Sequence, residues 1–383
     1  MVLNPLIKFF GSLRLTVVCL ALGMVLIFAG TMAEVHLGLY QSQNEFFRSF
    51  IVFWRPENSP WKIPVLPGGY LLGGVLLLNL VAAHSERFTF NRKKAGIWMA
   101  HTGLILLLLG QLLTDMLAHE STMHLRVGEA RNYSESERAF ELAVSDVTDP
   151  KATQVVAIPD RLLLKHGDLR TADLPFTVRV HTYYANSALT NQAAAGFQPA
   201  VAPDATGAGG LWLKAVPHET DDKLRDLPSG VVEIVTPQGS AGSWLVSSYL
   251  GTPQTFTWQN RKYELLLRPE RFYRPYSLQL QEFKHDVYKG TDVPKNFSSR
   301  LVLNRPDTGE HRDVLIYMNN PLRYAGETFY QASFDTDDQG TILQVVHNPS
   351  WITPYLACLL VGAGLVVQFL THLVPFLKRR RAA

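Results

Sequence analysis

Long apolar runs are confined to the two ends of the chain. A helix needs about 20 apolar residues to cross a hydrocarbon core of roughly 30 Å, and four runs approach that length. They are Leu13–Thr31, Leu66–Ala83, Gly96–Leu113 and Trp351–Phe369. We therefore predict four transmembrane helices. The first run is not followed cleanly by a small-residue cleavage site, and three runs come after it, so we interpret it as a retained helix rather than a signal peptide.

The segment between the third and fourth runs has the pattern of strands instead. Short stretches rich in β-branched and aromatic residues, such as "PFTVRVHTYY" and "SLQLQEFKHDVY", are separated by turn formers. Residues 118–350 are therefore predicted to form an all-β domain, a β-sandwich or two sheets, of about nine strands. Residues 185–210 are rich in Ala, Gly and Pro and predict a mobile loop.

Residues 33–64 separate the first two apolar runs and have a different character. The stretch "AEVHLGLYQSQNEFFRSFIVFW" mixes aromatic and polar side chains, which is typical of a helix lying in the membrane–water interface. The proline-rich stretch "RPENSPWKIPVLP" would then end that helix before the second run begins. Residues 1–117 thus predict three transmembrane helices with an outer interfacial segment at 33–64.

The basic residues set the predicted orientation. They cluster before the first run, between the second and third, and after the fourth. They are Lys8, Arg14, Arg87, Arg92, Lys93, Lys94, Lys378, Arg379, Arg380 and Arg381. If both termini are cytoplasmic, all of these basic residues fall on the cytoplasmic side of the membrane, as the positive-inside rule requires. We expect the all-β domain to be extracytoplasmic, and residues 351–383 to form the fourth helix and a basic cytoplasmic tail.

The composition excludes several classes of function. A net charge of +3, without a basic face carrying interleaved aromatic residues, argues against a nucleic-acid partner. The two cysteines, Cys19 and Cys358, lie in apolar runs, so the outer domain has neither a disulfide framework nor a thiol-redox motif. Few charges lie within the runs, which disfavours an ion-coupled transporter, and the short cytoplasmic segments leave no room for a signalling domain.

Several motifs resemble those of one family of membrane proteins. "HTGLILLLLGQLLTD" followed by "STMHLRVGEARNY", "GTDVPKNFSSRLVL" and "HNPSWITPYLACLLVGAGLVVQFL" are similar to the ResB-like (CcsB-type) cytochrome c biogenesis proteins. The most specific stretch is "PLRYAGETFYQASF", within residues 319–335. The resemblance extends over nearly the whole chain, with the motifs in the family's order.

The resemblance implies a part in system II cytochrome c biogenesis at the bacterial cytoplasmic (inner) membrane, with the β domain on the periplasmic face. ResB-like proteins pair with a multispan ResC/CcsA-like partner, and together they carry haem b across the membrane and help attach it to apocytochrome c. The partner carries a tryptophan-rich haem-binding segment, whereas the seven tryptophans here are scattered. This chain would be an accessory, non-catalytic subunit of a cytochrome c synthetase (haem lyase).

His101 is the principal candidate for a haem axial ligand. An intramembrane imidazole is costly, so it usually faces a partner or a cavity, and haem iron accepts neutral imidazole as an axial ligand. The family likeness implies a haem-ligating histidine at this point of the third helix, which shares the haem with a histidine of the partner. The competing interpretation is a structural hydrogen bond to a carbonyl or to a neighbouring helix. His84 and His372, at the cytoplasmic ends of the second and fourth runs, are weaker candidates for the same site.

The remaining polar residues are interpreted as structural. The outer histidines His36, His119 and His124, and those of the β domain, show no metal-ligand spacing. Asp115 lies at the outer end of its run, where we expect a solvated carboxylate without a chemical role. A different class of function also fits the sequence, a membrane-anchored scaffold that stabilises the partner or tethers apocytochrome c without binding haem.

Overall fold

The chain forms two compact units. The computed structural model describes residues 5–54, 56, 61–86, 94–200, 209–220, 224–291 and 293–382. The helical unit comprises Met1–His119, Thr220–Asp222 and Asn348–Ala383, and the β unit comprises Glu120–Glu219 and Lys223–His347. The predicted cluster of Arg87, Arg92 and Lys93 lies outside the described residues, as do residues 201–208 of the predicted loop.

The elements in chain order are as follows. The helices are α1 (Pro5–Phe10), α2 (Leu13–Ser42, continued by a π-helical turn, Gln43–Phe47), α3 (Gly69–Glu86), α4 (Ala95–Leu117), α5 (Asp160–Leu163) and α6 (Thr353–Ala382). The strands are β1 (Ile51–Trp54), β2 (Ile63–Pro67), β3 (His119–Arg126), β4 (Ala130–Asp149), β5 (Ala152–Pro159), β6 (Gly167–Leu169), β7 (Thr177–Tyr184), β8 (Ser187–Thr190), β9 (Gln198–Pro199), β10 (Trp212–Ala215), β11 (Ser229–Thr236), β12 (Gly239–Ser247), β13 (Gln254–Trp258), β14 (Arg261–Val287), β15 (Pro294–Arg305), β16 (Glu310–Tyr317), β17 (Leu322–Tyr324), β18 (Glu327–Phe334) and β19 (Gly340–His347).

Three helices are long and apolar enough to cross a membrane: Leu13–Phe47, Ala95–Leu117 and Thr353–Arg380. They correspond to the first, third and fourth predicted spans. The second predicted span is also an apolar helix, but the segment Gly69–Ser85 is shorter than the other three. The hydrophobic pattern therefore identified every long helix of the helical unit, and three of the four have a spanning length.

The predicted interfacial helix is only partly correct. The helix that begins at Leu13 continues through a π-helical turn to Phe47, but residues Ile51–Trp54 form β1 and pair with β2 in an antiparallel hairpin. The residues of "FIVFW" are β-branched or aromatic, and such side chains fit a pleated strand better than a helix. One side of the hairpin is packed, because Val52 is buried in a cluster with Leu26 and Leu72 of α2 and α3.

Three glycines of α4 bring its backbone against α6. Gly96, Gly103 and Gly110 are spaced seven residues apart and are buried. A Cβ atom at Gly103 would lie 2.8 Å from the carbonyl oxygen of Ala357, and Gly364 of α6 makes an equally close approach to Ala100. Small residues permit this backbone contact between membrane helices. We name these three glycines the glycine seam.

The β unit contains a large antiparallel sheet with the strand order β16-β15-β14-β4-β3-β19-β18-β17, in which β13 also pairs with β14 and β5 with β4. A four-stranded sheet, β12-β11-β7-β6, and a three-stranded sheet, β8-β10-β9, complete it. The all-β prediction is confirmed, but the described residues contain more strands than the nine or so expected. Part of the predicted loop at 185–210 forms β8 and β9.

Three hydrophobic clusters stabilise the described part of the β unit, and the long strand β14 contributes to the two larger ones. Its first half packs with Ile234 and Trp244, and its second half packs with Leu301 and Phe329. The pairing register of β14 with β4 shifts between the two halves, as happens where a bulge inserts extra residues.

An ion pair is buried beside this register shift. Arg274 and Glu327 have side chains only 5% and 12% exposed, and the guanidinium Nε lies 2.5 Å from the carboxylate. The hydroxyl of Tyr276 donates to the same carboxylate at 2.6 Å. Burial favours the protonated acid, but the hydrogen bonds from Arg274 and Tyr276 outweigh it and hold the pKa of Glu327 below its ordinary value.

The glycine seam generates the first prediction. Gly103→Ala places a methyl group against the backbone of α6, so we expect the helical unit to lose about 1–3 kcal/mol of stability from overpacking. The matched control is Gly73→Ala in α3, where no atom lies within 4 Å of the added Cβ position. Thermal unfolding of the detergent-solubilised chain is the measurement. Equal melting temperatures for the two variants would contradict backbone contact at the seam.

The second prediction concerns Glu327. Replacing it with Gln leaves Arg274 buried without a counter-charge, which costs roughly 3–5 kcal/mol. The control, Glu282→Gln, removes an acid that is 46% exposed and should cost less than about 1 kcal/mol. Denaturant unfolding of the full chain in detergent, followed by near-ultraviolet circular dichroism, compares them.

The same pair predicts a pH dependence. Because folding lowers the pKa of Glu327, its contribution to the free energy of unfolding is complete above the unfolded-state pKa of about 4.3. It is lost as the pH falls through the folded-state pKa. The Glu327→Gln variant has no carboxylate to protonate here. Its free energy of unfolding should therefore fall less than that of the original chain as the pH is lowered. A variant with the same pH profile as the original chain would show that Glu327 does not contribute.

Candidate functional site

The glycine seam determines the direction in which His101 points. Successive helical residues are rotated by about 100°, since 3.6 residues make one turn. His101 precedes Gly103 by two residues, so it lies on nearly the opposite side of α4 from α6. Trp98, one turn earlier, lies on the same side as His101. This face of α4 meets α3.

His84 and His101 are in direct contact. The centre of the His84 ring is 4.8 Å from that of His101, with an angle of 82° between the ring planes. Trp98 packs against the other part of the His84 ring, with ring centres 4.6 Å apart at 84°. We name His84, Trp98 and His101 the histidine cluster. Two of the three sequence-predicted histidines are thus brought together, although nothing in the sequence showed that their rings would touch.

The two rings of the cluster differ in hydrogen bonding. Nδ1 of His84 lies 2.9 Å from the carbonyl oxygen of Leu80, one turn earlier in α3. A carbonyl only accepts, so Nδ1 of His84 is the donor of this hydrogen bond. Nδ1 of His101 is buried and has no hydrogen-bond partner among the described residues. The structural alternative, a hydrogen bond from this atom to a neighbouring helix, is therefore not formed in this part of the chain.

His372 is placed differently. The side-chain amide of Gln368 donates to Nε2 of His372 over 2.8 Å, one turn along α6. That hydrogen bond occupies the lone pair that a metal would need. Among the described residues, His372 makes no ring contact with the histidine cluster. The structure therefore groups His84 with His101 and leaves His372 apart.

The expectation of a solvated Asp115 is wrong. Its side chain is only 9% exposed and lies 2.6 Å from Nε of Arg48, and the hydroxyl of Tyr70 donates to the same carboxylate. These contacts join the segment after α2, the start of α3 and the end of α4. Sequence reasoning missed them because Arg48 and Asp115 are far apart along the chain, although an acid at the end of an apolar run was a signal.

Four of the seven histidines of the β unit pair with carboxylates. The contacts are His124 with Asp335, His181 with Glu233, His218 with Asp226 and His285 with Asp338. Among the residues that the structure describes, no group of three or more His, Cys, Asp or Glu side chains is arranged to hold a metal ion. These pairs fit the structural interpretation made from the sequence.

The stretch at 319–335 that resembles the ResB-like proteins forms strands of the β core rather than an open binding surface. Tyr324 donates to Glu310 at 2.5 Å, and the ring of Phe334 stacks on Phe283 with centres 5.6 Å apart. Phe329 is fully buried, whereas Tyr330 is 38% exposed. Packing within the β core therefore accounts for most of the apolar and aromatic side chains of this segment.

Comparison with known proteins identifies the class. The profile of the ResB-like family matches residues 86–342, more than half of the chain. The chain belongs to the ResB-like family, and three of its helices are long and apolar enough to cross a membrane. The matched region includes His101 and begins after His84.

One curated relative extends the comparison. Protein NrfI of Wolinella succinogenes is 26% identical over 303 residues, which cover 78% of this chain and 29% of NrfI. The chain therefore spans less than a third of the length of that relative.

Proposed function

We propose that this chain carries haem b in the membrane for attachment to apocytochrome c, and that His101 is an axial ligand of the haem iron. The observation that carries the proposal is the buried Nδ1 of His101, which lacks a partner among the described residues. A buried polar atom without a partner costs roughly 1–3 kcal/mol. Haem is here the cargo, and its iron is bound well by neutral imidazole.

The surroundings of His101 suit such a ligand. The ring is held on an apolar helix, and the α6 side of that helix is filled by the glycine seam. His101 and Trp98 therefore face α3, whose helix carries His84 beside them. An apolar setting excludes water, and it favours the uncharged imidazole that coordinates iron.

The proposed topology has four spans. α3 contains 18 residues and is about 27 Å long at 1.5 Å per residue, which a locally thinned bilayer accommodates at modest cost. With both termini cytoplasmic, the histidine cluster lies near the cytoplasmic face of the bacterial inner membrane. The β unit then lies on the periplasmic face, where apocytochrome c receives haem.

A ResC/CcsA-like membrane protein is the proposed partner in the synthetase complex. In this arrangement the present chain receives and holds haem, and it serves as an accessory subunit rather than supplying the residues that form the thioether bonds. The alternative is a scaffold that stabilises the partner or tethers apocytochrome c without touching haem. The β unit, which has hydrophobic clusters of its own, would provide the binding surface of such a scaffold.

The third prediction tests the haem ligand. His101→Ala should lower the haem content of the complex purified with its partner by at least about tenfold, since losing even a residue that supports a metal ligand costs about 10–100-fold in affinity. His372→Ala is the matched control, because that ring is bonded to Gln368, and it should keep its haem. Absorption spectra at equal protein concentration provide the measurement.

Rescue by a small molecule sharpens the test. In the His101→Gly variant, added imidazole should restore part of the haem, because a free ring can fill the vacant axial position. Full haem content in His101→Ala would refute the ligand assignment. If removal of residues 120–347 then abolished cytochrome assembly, the scaffold function would be favoured instead.

A further inference from the structure

The β1–β2 hairpin exposes most of its apolar side chains. Val52 packs inward and is 3% exposed, but Phe50 and Trp61 are 66% and 75% exposed. Single exposed apolar residues are ordinary, whereas a concentration of them marks a site of protein or membrane interaction. We name the exposed apolar residues of this element the hairpin surface, which consists of Phe50, Phe53, Trp54, Trp61, Ile63 and Val65.

The hairpin is fixed to the two helices that it connects. The backbone N–H of Gly68 donates to the carbonyl of Phe50 over 2.9 Å. The N–H of Tyr70, in the first turn of α3, donates to the carbonyl of Ser49 over 3.2 Å. A Cβ atom at Gly68 would overlap that same carbonyl of Ser49, so the close approach of the two chain segments requires glycine. The hairpin surface is therefore held at the end of the α2 segment and the start of α3.

The helices on either side indicate what covers the hairpin surface. α2 is long and apolar enough to cross a membrane, and exposed apolar side chains continue from the hairpin along both helices, with Val35 in α2 and Leu71 in α3 as examples. The end of a spanning helix lies in the membrane–water interface, where tryptophan is enriched. Its ring is largely apolar and carries one N–H that needs a polar partner. Trp54 and Trp61 fit that layer.

Charge and backbone chemistry also fit the interfacial layer. Lys62 is the only charged residue among the described residues of the hairpin, 51–54, 56 and 61–67, and a lysine at this level extends its amine towards the lipid phosphates. A two-stranded sheet leaves N–H and C=O groups unpaired along its outer edges, which hydrocarbon cannot satisfy. In β2, Pro64 and Pro67 have no N–H to leave unpaired. Apolar side chains on a partly polar backbone suit a depth where headgroups and water are still available.

We propose that the hairpin surface lies in the interfacial layer of the membrane, covered by lipid headgroups and the adjoining acyl chains, and that it anchors the junction of α2 and α3 at that depth. The inference rests on the membrane placement in the proposed function and is independent of the haem ligand. α3 begins two residues after β2 ends and has 18 residues, about 27 Å at 1.5 Å per residue. An anchor at its start therefore sets the depth of the whole helix.

The fourth prediction measures depth with a nitroxide spin label at three matched valines. Cys19 and Cys358 are first replaced with alanine, and the full chain is placed in nanodiscs of phosphatidylethanolamine and phosphatidylglycerol. Val65→Cys reports on the hairpin surface, Val25→Cys on the apolar length of α2, and Val155→Cys on the β unit. These valines are 50%, 50% and 40% exposed. Electron paramagnetic resonance compares collisions of each label with oxygen, which concentrates in lipid, and with a water-soluble nickel chelate.

The ratio of oxygen to nickel collisions at Val65 should lie between the high value at Val25 and the low value at Val155. A ratio equal to that at Val155 would place the hairpin in water, and one equal to that at Val25 would place it in the hydrocarbon core. Either result would overturn the proposal. So would a label shielded from both reagents, since it would show contact with a second copy of this chain or, in the purified complex, with the partner. A ratio at Val25 as low as that at Val155 would instead refute the proposed membrane crossing of α2.

A double variant tests whether the tryptophan rings hold the hairpin at this depth. Trp54→Ser/Trp61→Ser should shift the ratio at Val65 towards the value at Val155, because the rings that favour the interface are removed. The control is Tyr288→Ser, which removes an aromatic side chain of the β unit that is 54% exposed and should leave the ratio unchanged. Far-ultraviolet circular dichroism establishes that each variant is folded. An unchanged ratio in a folded double variant would refute the anchoring role.

Discussion

Backbone contact between α4 and α6 is the constraint on which the helical unit depends. In a bilayer the hydrophobic effect does not drive helices together, so close van der Waals packing has to do so. The glycine seam allows backbone contact at Gly96 and Gly103, while Gly110 lies against the side chain of Thr353. Together these contacts fix the rotation of α4 about its axis. A rotation that turned His101 away from α3 would drive bulky side chains of α4 into the backbone of α6.

The helical unit contains two helix pairs, α2 with α3 and α4 with α6, and different contacts hold each pair together. The α2 and α3 side has a core of ordinary apolar side chains that includes the β1–β2 hairpin. Polar contacts of Arg48 and Tyr70 with Asp115 join it to α4 near one end, and ring contacts of the histidine cluster join it near the other. Breaking a buried polar contact in lipid is costly because water cannot replace the lost partner. These contacts therefore set the register of α3 against α4 more strictly than leucine packing would.

The sequence predicts the elements of this fold better than their contacts. Hydrophobic run length was sufficient to find α2, α3, α4 and α6, and β-branched alternation was sufficient to predict an all-β unit. The β1–β2 hairpin was missed because its aromatic and apolar residues also suit an interfacial helix. The direction of His101 is encoded in the seven-residue spacing of the glycines. Its contact with His84 depends on how α3 lies against α4, and no local pattern specifies that.

The histidines of this chain divide by the chemistry around them. Four in the β unit lie against carboxylates, and each of these contacts occupies one nitrogen of the ring. Within the described residues, the histidine cluster has no carboxylate in hydrogen-bonding contact, and a backbone carbonyl directs the proton of His84 to Nδ1. The two environments therefore differ in the groups that face the ring nitrogens, and His101, the proposed haem ligand, lies in the second.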